Sequence, residues 1–457
     1  MKMTPVLKFL SLVTLALLLV TPAYSRAYSL LTHEQLIDLT WYDSIVPLLL
    51  SRYPGLTPAQ LDEARSYAYG GCVIQDIGYY PFGDHTFSNL THYVRSGDFV
   101  INLFRNAKNA DELAFAIGAL SHYIGDSYGH SEATNLAVAV EFPKLEARYG
   151  PVVNYAEGEK QHVQTEFAFD IDQIAHHHLA PLPYLRHIGL NVPVHQLGLA
   201  FYQTYGLTDF ADHRSHRFKV WEYRFAVRNF IPHAAYAITL RRGKHEPAET
   251  DSAEAIEIGR EADAAAALGN WAAYRSGHPS FETRVLRVLF FILPKVGPLS
   301  LVSVKGPTNA TEADYMHSVY QSAAALRYAL RGFTPLTSRF ETPHGYAIVK
   351  QPFGARDPLH PLPNRDLDTG YVVKPGGYSL TDSTYASLLH RIAQNPVQPI
   401  PPGIKRDIET YYSNPDAPIT TKKNAAQWAE VQADLKTLTT IPTSNEPEPY
   451  PTYGDDQ

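Results

Sequence analysis

Apolar residues recur at three- and four-residue intervals along most of the chain, while period-two alternation is scarce, so the pattern predicts helices rather than strands. Three helix starts are legible. Thr32 with Gln35, Thr57 with Pro58 and Gln60, and Asn109 with Glu112 each read as an N-cap followed by first-turn chemistry. A short side-chain oxygen there takes a backbone N–H that the first turn leaves open. Gly70 and Gly71 supply a stop. Asn309 with Glu312 opens a later helix running to about Arg331, and Trp428, Val431, Leu435 and Leu438 share one face of another. The expected fold is all-α, with a multi-helix core, an additional helical C-terminal region, long Pro-rich connections and no internal repeat.

The 457 residues, 45% apolar and 12% aromatic, suffice for one large core or two moderate ones. Residues 1–27 stand apart: Lys2 and Lys8 precede the apolar stretch Phe9 to Val20, and Pro22 follows it. That is the order of a secretory signal peptide, and the stretch is shorter than the roughly 20 residues a membrane span needs. Ser25 and Ala27 suit cleavage after Ala27, which makes Tyr28 the new amino terminus; cleavage after Ala23 or Ser25 is the alternative. A secreted or periplasmic protein is expected. With Cys72 as its single cysteine, the chain has no intrachain disulfide and no cysteine cluster for zinc, so any metal must sit on histidine and carboxylate. The net charge of -7 offers no electrostatic footprint for duplex nucleic acid. No protein partner is inferred.

The charged segment Lys244 to Glu254 is the candidate boundary between a catalytic part, 28–243, and a helical C-terminal region, 244–440, with a disordered tail expected over 441–457. Pro-rich stretches at 357–377, 396–402 and 442–451 read as connectors or tail. The apolar run Val288 to Val302 is broken by Pro294 and Pro298 and reads as buried core rather than membrane contact.

The chemistry concentrates between Glu112 and Asn135, where an otherwise apolar helix is interrupted by His122, Asp126 and His130 at four-residue spacing. On a helix these side chains lie within an arc of about 80° and span about 12 Å of rise, so they can serve neighbouring metals but not a single one. A hydrogen-bonded polar stripe is the plain alternative. His162 and Glu166 repeat the spacing beside inward-packing Phe167, Phe169 and Ile171, with a solvated His–Glu pair as the alternative. Upstream, Asp76 and His92 flank an aromatic loop containing Tyr79, Tyr80 and Phe82. These rings could line a headgroup or base pocket, or pack in the core. His176, His177 and His178 read as surface residues.

The segments LTHEQLIDLTW, QDIGYY, LTHYVRSGD, SHYIGDSYGH and HVQTE, in this order over roughly residues 28–200, resemble the zinc-dependent phospholipase C family, whose superfamily includes the single-strand-specific zinc nucleases. The resemblance implies a zinc-dependent phospholipase C-like core and three zinc ions. It assigns the first to Asp76, His92, His122 and Asp126, and the second to His130, His162 and Glu166. The third would be shared by Asp126, His33 and the α-amino nitrogen and carbonyl oxygen of Tyr28. That last set exists only after cleavage, because a peptide nitrogen has no lone pair to give whereas a free α-amine does. Two departures stand out. Asp126 reaches His130 in four residues where the common motif has two more, including a proline, a spacing that resembles the branch acting on glycosylphosphatidylinositol. Tyr28 also stands where the better-known members carry tryptophan.

The resemblance implies phospholipase C activity on phospholipids, with transient membrane-surface contact and Asp76 as the group that orients or deprotonates the attacking water. A nuclease-type phosphodiesterase is the enzymatic alternative, and a catalytically silent, metal-stabilised binding protein the non-enzymatic one.

Overall fold

The computed structural model describes residues 30–79, 83–208, 252–275, 306–331, 362–413 and 418–445. Among these residues the fold is all-α as expected, with two isolated bridges and no strand. Its helices include α1 (Leu30–Thr40), α2 (Pro58–Gly71), α3 (His85–Tyr93), α4 (Ser96–Arg105), α5 (Ala110–Gly129), α6 (Tyr155–Ala175), α7 (Val194–Tyr205), α8 (Ala253–Leu268), α9 (Asn309–Arg331), α10 (Ser379–Ala393) and α11 (Ala425–Thr440). None of the described helices is long and apolar enough to cross a membrane.

Helix α5 is the axis of the molecule. Every residue from Leu113 to Ser127 is buried, as a helix apolar on all sides must be. Helix α2 packs on it most extensively, followed by α9 and α4, and α1 lies against its C-terminal half. The α2 contact depends on glycine: a β-carbon at Gly118 would sit 2.2 Å from the Ala68 carbonyl oxygen. The apolar interior runs from Trp41, Phe115 and Leu120 to Leu326, Leu389 and Ile404. Both sides of the 244–254 segment therefore contribute to one core, although most of that segment lies outside the described residues. The run Val288 to Val302 lies outside them as well.

Two of the three early caps form as read: Thr57 and Gln60 make a capping box, and Asn109 Oδ1 accepts the Glu112 N–H. Thr32 does not cap. It lies inside α1, and its N–H and hydroxyl both donate to Asp170 Oδ1, while the Leu31 N–H donates to Oδ2. A carboxylate from α6 thus satisfies the open amides of α1, a long-range solution that local sequence does not announce. At α9 the cap is Thr308, whose hydroxyl accepts the Thr311 N–H, and Glu312 turns inward instead of completing a capping box with Asn309. Trp428, Val431, Leu435 and Leu438 pack on the main core as predicted.

Two C-terminal expectations need correction. Residues 362–377, the described part of the 357–377 stretch read as connector, fold against α5: the Tyr123 hydroxyl donates to the Pro363 carbonyl and Asn135 to the Asp368 carbonyl. Residues 441–445, read as the start of the tail, pack on the fold: Ile441 is buried and Ile400 exchanges backbone hydrogen bonds with Pro442 and Ser444, while 446–457 lie outside the described residues. Apolar burial at Ile441 outweighs the extended character of the flanking prolines.

Candidate metal centre

Seven of the eight described candidate ligands arrive from five elements: His33 from α1, Asp76 from the 3-10 turn Gln75–Tyr79, His92 from α3, His122 and Asp126 from α5, and His162 and Glu166 from α6. His130 begins a π turn, His130–Thr134, that directly follows α5. The widened turn marks where His130 leaves the α5 stripe and faces α6. All eight are buried to 2% exposure or less.

They converge in two places. His122 Nε2 lies 3.0 Å from Asp126 Oδ2 and 3.5 Å from His92 Nε2. His92 Nε2 is 3.3 Å from Asp76 Oδ1 and 3.4 Å from Asp126 Oδ2. On the other side of the same carboxylate, Asp126 Oδ1 faces His33 Nε2 at 3.2 Å, and the His33 ring stacks on His122. Asp126 therefore presents one oxygen to each of two ligand groups. The second place joins His162 Nε2 and His130 Nε2 to Glu166 Oε1, at 3.0 and 3.3 Å.

These spacings suit a cation. Ligands about 2.0–2.1 Å from a tetrahedral zinc stand about 3.3 Å from one another. Neither oxygen of Asp126 and neither nitrogen of His162 meets a partner in hydrogen-bonding geometry, nor does Asp76 Oδ1. Buried atoms left so would be costly, and a shared cation satisfies them together. The three candidate groupings, His33–His122–Asp126, Asp76–His92–His122 and His130–His162–Glu166, each hold their donor atoms within 4.8 Å.

Backbone carbonyls orient the imidazoles. Nδ1 of His92 contacts the Ser88 carbonyl at 2.8 Å, Nδ1 of His122 the Cys72 carbonyl at 2.9 Å, and Nδ1 of His130 the Leu367 carbonyl at 2.7 Å. Each pairing places the proton on Nδ1 and leaves the Nε2 lone pair facing inward, the tautomer a metal ligand requires. Cys72 thus contributes through its backbone, while burial pushes its thiol pKa well up. None of these three supports was named from the sequence. The Ser88 contact follows from helical i,i+4 geometry, but Leu367 lies 237 positions from its histidine and has no local signal.

The electrostatics distinguish the groups. Burial opposes ionisation of Asp126, but His122, His33 and His92 outweigh it and hold the carboxyl well below its usual range. Burial, together with His122, lowers His33. Burial and then His130 depress His162, while burial raises Glu166 well above its ordinary value. His130 resists its own burial through Glu166, Asp126 and Asp368 and is pushed up to about 10. The second group in particular is poised to exchange protons for a cation.

Tyr79 is buried, its ring 5.3 Å from His92 and its hydroxyl donating to Asn89, so it packs beside the centre instead of presenting a face to solvent. Tyr28, Tyr80 and Phe82 lie outside the described residues. Of the three histidines read as surface, His177 is exposed, but His176 and His178 are half-buried against α6.

No curated protein and no solved structure compared with the chain matches it. The family model described as zinc dependent phospholipase C matches residues 32–214, a span that contains all eight described ligands. Motif order, convergent donors and carbonyl-oriented imidazoles agree with this match, so over residues 32–214 the chain is similar to the zinc-dependent phospholipase C family, which is hydrolytic.

Proposed function

We propose that this is a secreted phospholipase C that cleaves phospholipids between glycerol and phosphate with three zinc ions. Asp76, His92, His122 and Asp126 would hold the first, His130, His162 and Glu166 the second. Asp126, His33 and the amino and carbonyl groups of Tyr28 would hold the third, after cleavage behind Ala27. The observation that carries the reading is Asp126, whose two oxygens face separate histidine groups within 3.0–3.4 Å.

Zinc held by these residues would supply a bound water with its pKa lowered toward about 7 and positive charge for the phosphoryl oxygens and leaving alkoxide. The chain's own residues do the rest. Asp76, at the edge of the first group with Oδ1 3.3 Å from His92 Nε2, would orient or deprotonate the attacking water in addition to its place in the ligand set. The Ser88, Cys72 and Leu367 carbonyls fix the imidazole edges, so no ligand rotamer must be selected as charge develops. Burial keeps bulk water from competing for these groups. Asp170 holds the Leu31 and Thr32 amides at the start of α1, the helix that carries His33 to Asp126. Contact with a lipid surface would be transient.

The decisive experiment uses protein beginning at Tyr28, with zinc quantified, against phosphatidylcholine, phosphatidylinositol and single-stranded DNA in parallel. Diacylglycerol release that chelation abolishes is expected. Release of nucleotides alone would overturn the lipid assignment.

A further inference from the structure

Outside the centre described above, Asp172 and His176 near the end of α6 meet Glu312 in the first turn of α9, with one donor atom from each within 4.8 Å of the others. His176 Nδ1 stands 3.1 Å from Asp172 Oδ2 and 3.1 Å from the Asp172 carbonyl. Asp172 and Glu312 are 5% and 2% exposed, whereas the His176 side chain is 25% exposed and opens the cluster to solvent.

We propose that Asp172, His176 and Glu312 form a further divalent-cation site, one that takes a first-row ion such as zinc or manganese and clamps α6 to α9.

Three features support a cation. First, Glu312 Oε2 is buried and meets no hydrogen-bond donor. Second, Glu312 is held in place: its Oε1 accepts from Gln173 Nε2 at 2.7 Å, and Gln173 Oε1 in turn faces His178 Nδ1 at 3.0 Å. Such a relay is how metal-binding carboxylates are oriented from behind. Third, two carboxyls buried together are costly unless a proton or a cation lies between them; burial and then Asp172 raise the Glu312 carboxyl well above its ordinary range. One imidazole nitrogen beside two carboxylate oxygens suits a first-row ion better than calcium, which prefers six or more oxygens.

The position gives the site a use. Asp172 follows Glu166 by six residues, about 9 Å along the same helix. Glu312 belongs to α9, which packs on α5 from outside the 32–214 span. A cation here would brace α6 directly, and α5 through α9, without touching the substrate.

The test is a metal count on the full chain, stripped by chelator and titrated with Zn2+ and, separately, Mn2+. Wild type is compared with His176→Ala and Glu312→Gln. Wild type should bind one equivalent more than either variant, and saturating ion should raise the Tm of wild type by more than that of either variant. His176→Ala alters a part-exposed side chain, so the comparison survives if Glu312→Gln folds poorly. Equal stoichiometry in wild type and His176→Ala overturns the proposal and leaves the carboxyls sharing a proton. Because the readout is a difference in bound metal, it stands whether or not lipid is hydrolysed.

Discussion

His130 Nδ1 lies 2.7 Å from the carbonyl oxygen of Leu367, a residue beyond the span that carries every other described contact to a ligand nitrogen of the centre. The turn that presents this carbonyl is pinned to α5 at Tyr123 and to the residue after the π turn, Asn135. A segment rich in proline thus completes the surroundings of a candidate metal ligand.

Gly370 adopts a left-handed φ of +71°, and a β-carbon there would sit 2.3 Å from the Ser127 carbonyl oxygen on α5. Gly370→Ala should push the turn away from α5 and release the Leu367–His130 contact. Loss of such a support weakens metal affinity by about 10- to 100-fold. Competition with a chromophoric chelator measures it; unchanged affinity would detach the turn from the centre.

His122→Ala and Asp126→Ala should each lose bound zinc and phosphodiester hydrolysis together, because both residues serve the shared group around Asp126. Chelation of the wild type should do the same, with activity restored by Zn2+. Full turnover by zinc-depleted protein would falsify the mechanism.

Asp170 accepts the Leu31 and Thr32 N–H groups and the Thr32 hydroxyl. Asp170→Ala leaves the two N–H groups buried and unsatisfied, at a cost of about 1–3 kcal/mol for each such group, while the Thr32 hydroxyl keeps Tyr315. Thermal or denaturant unfolding should show that loss, and activity should fall further than stability alone predicts because α1 carries His33. A variant with intact Tm would mean that solvent replaces the carboxylate.

Burial, and then Asp368, push the Asp366 carboxyl up to about 8. An unfolded aspartate titrates near 3.9, so the native state binds more protons across the interval between these values. Its contribution is fully present below about pH 4, declines as pH rises and is gone above about 8. Asp366→Asn keeps a group able to face the Thr381 hydroxyl but removes the titration. The variant's Tm should therefore gain on wild type from pH 5 to pH 8; parallel curves would exclude Asp366 as the source.

The candidate ligand set was legible because zinc chemistry favours certain residue types and helices impose spacing: His122 and Asp126, and His162 and Glu166, sit one turn apart on α5 and α6. The pairing of His33 with Asp126 was reachable only through resemblance, since nothing local links α1 to α5. Backbone supports escaped entirely. A carbonyl is the same in every residue, so Leu367 carries no mark of its role. Thr32 was misread for a related reason, its partner Asp170 being 138 residues distant. Glu312 was read as helix-start chemistry, and its inward turn depends on Asp172 and Gln173, which only the assembled fold brings near.

The distance between His130 and Leu367 along the chain also sets an order of events. A growing polypeptide lengthens by about 5–20 residues per second, so roughly 10 to 50 seconds separate the synthesis of the histidine from that of its anchor. Until then the imidazole lacks the contact that fixes its tautomer. A metal captured early would meet a half-built cage, and the finished one becomes available only after most of the chain has been made.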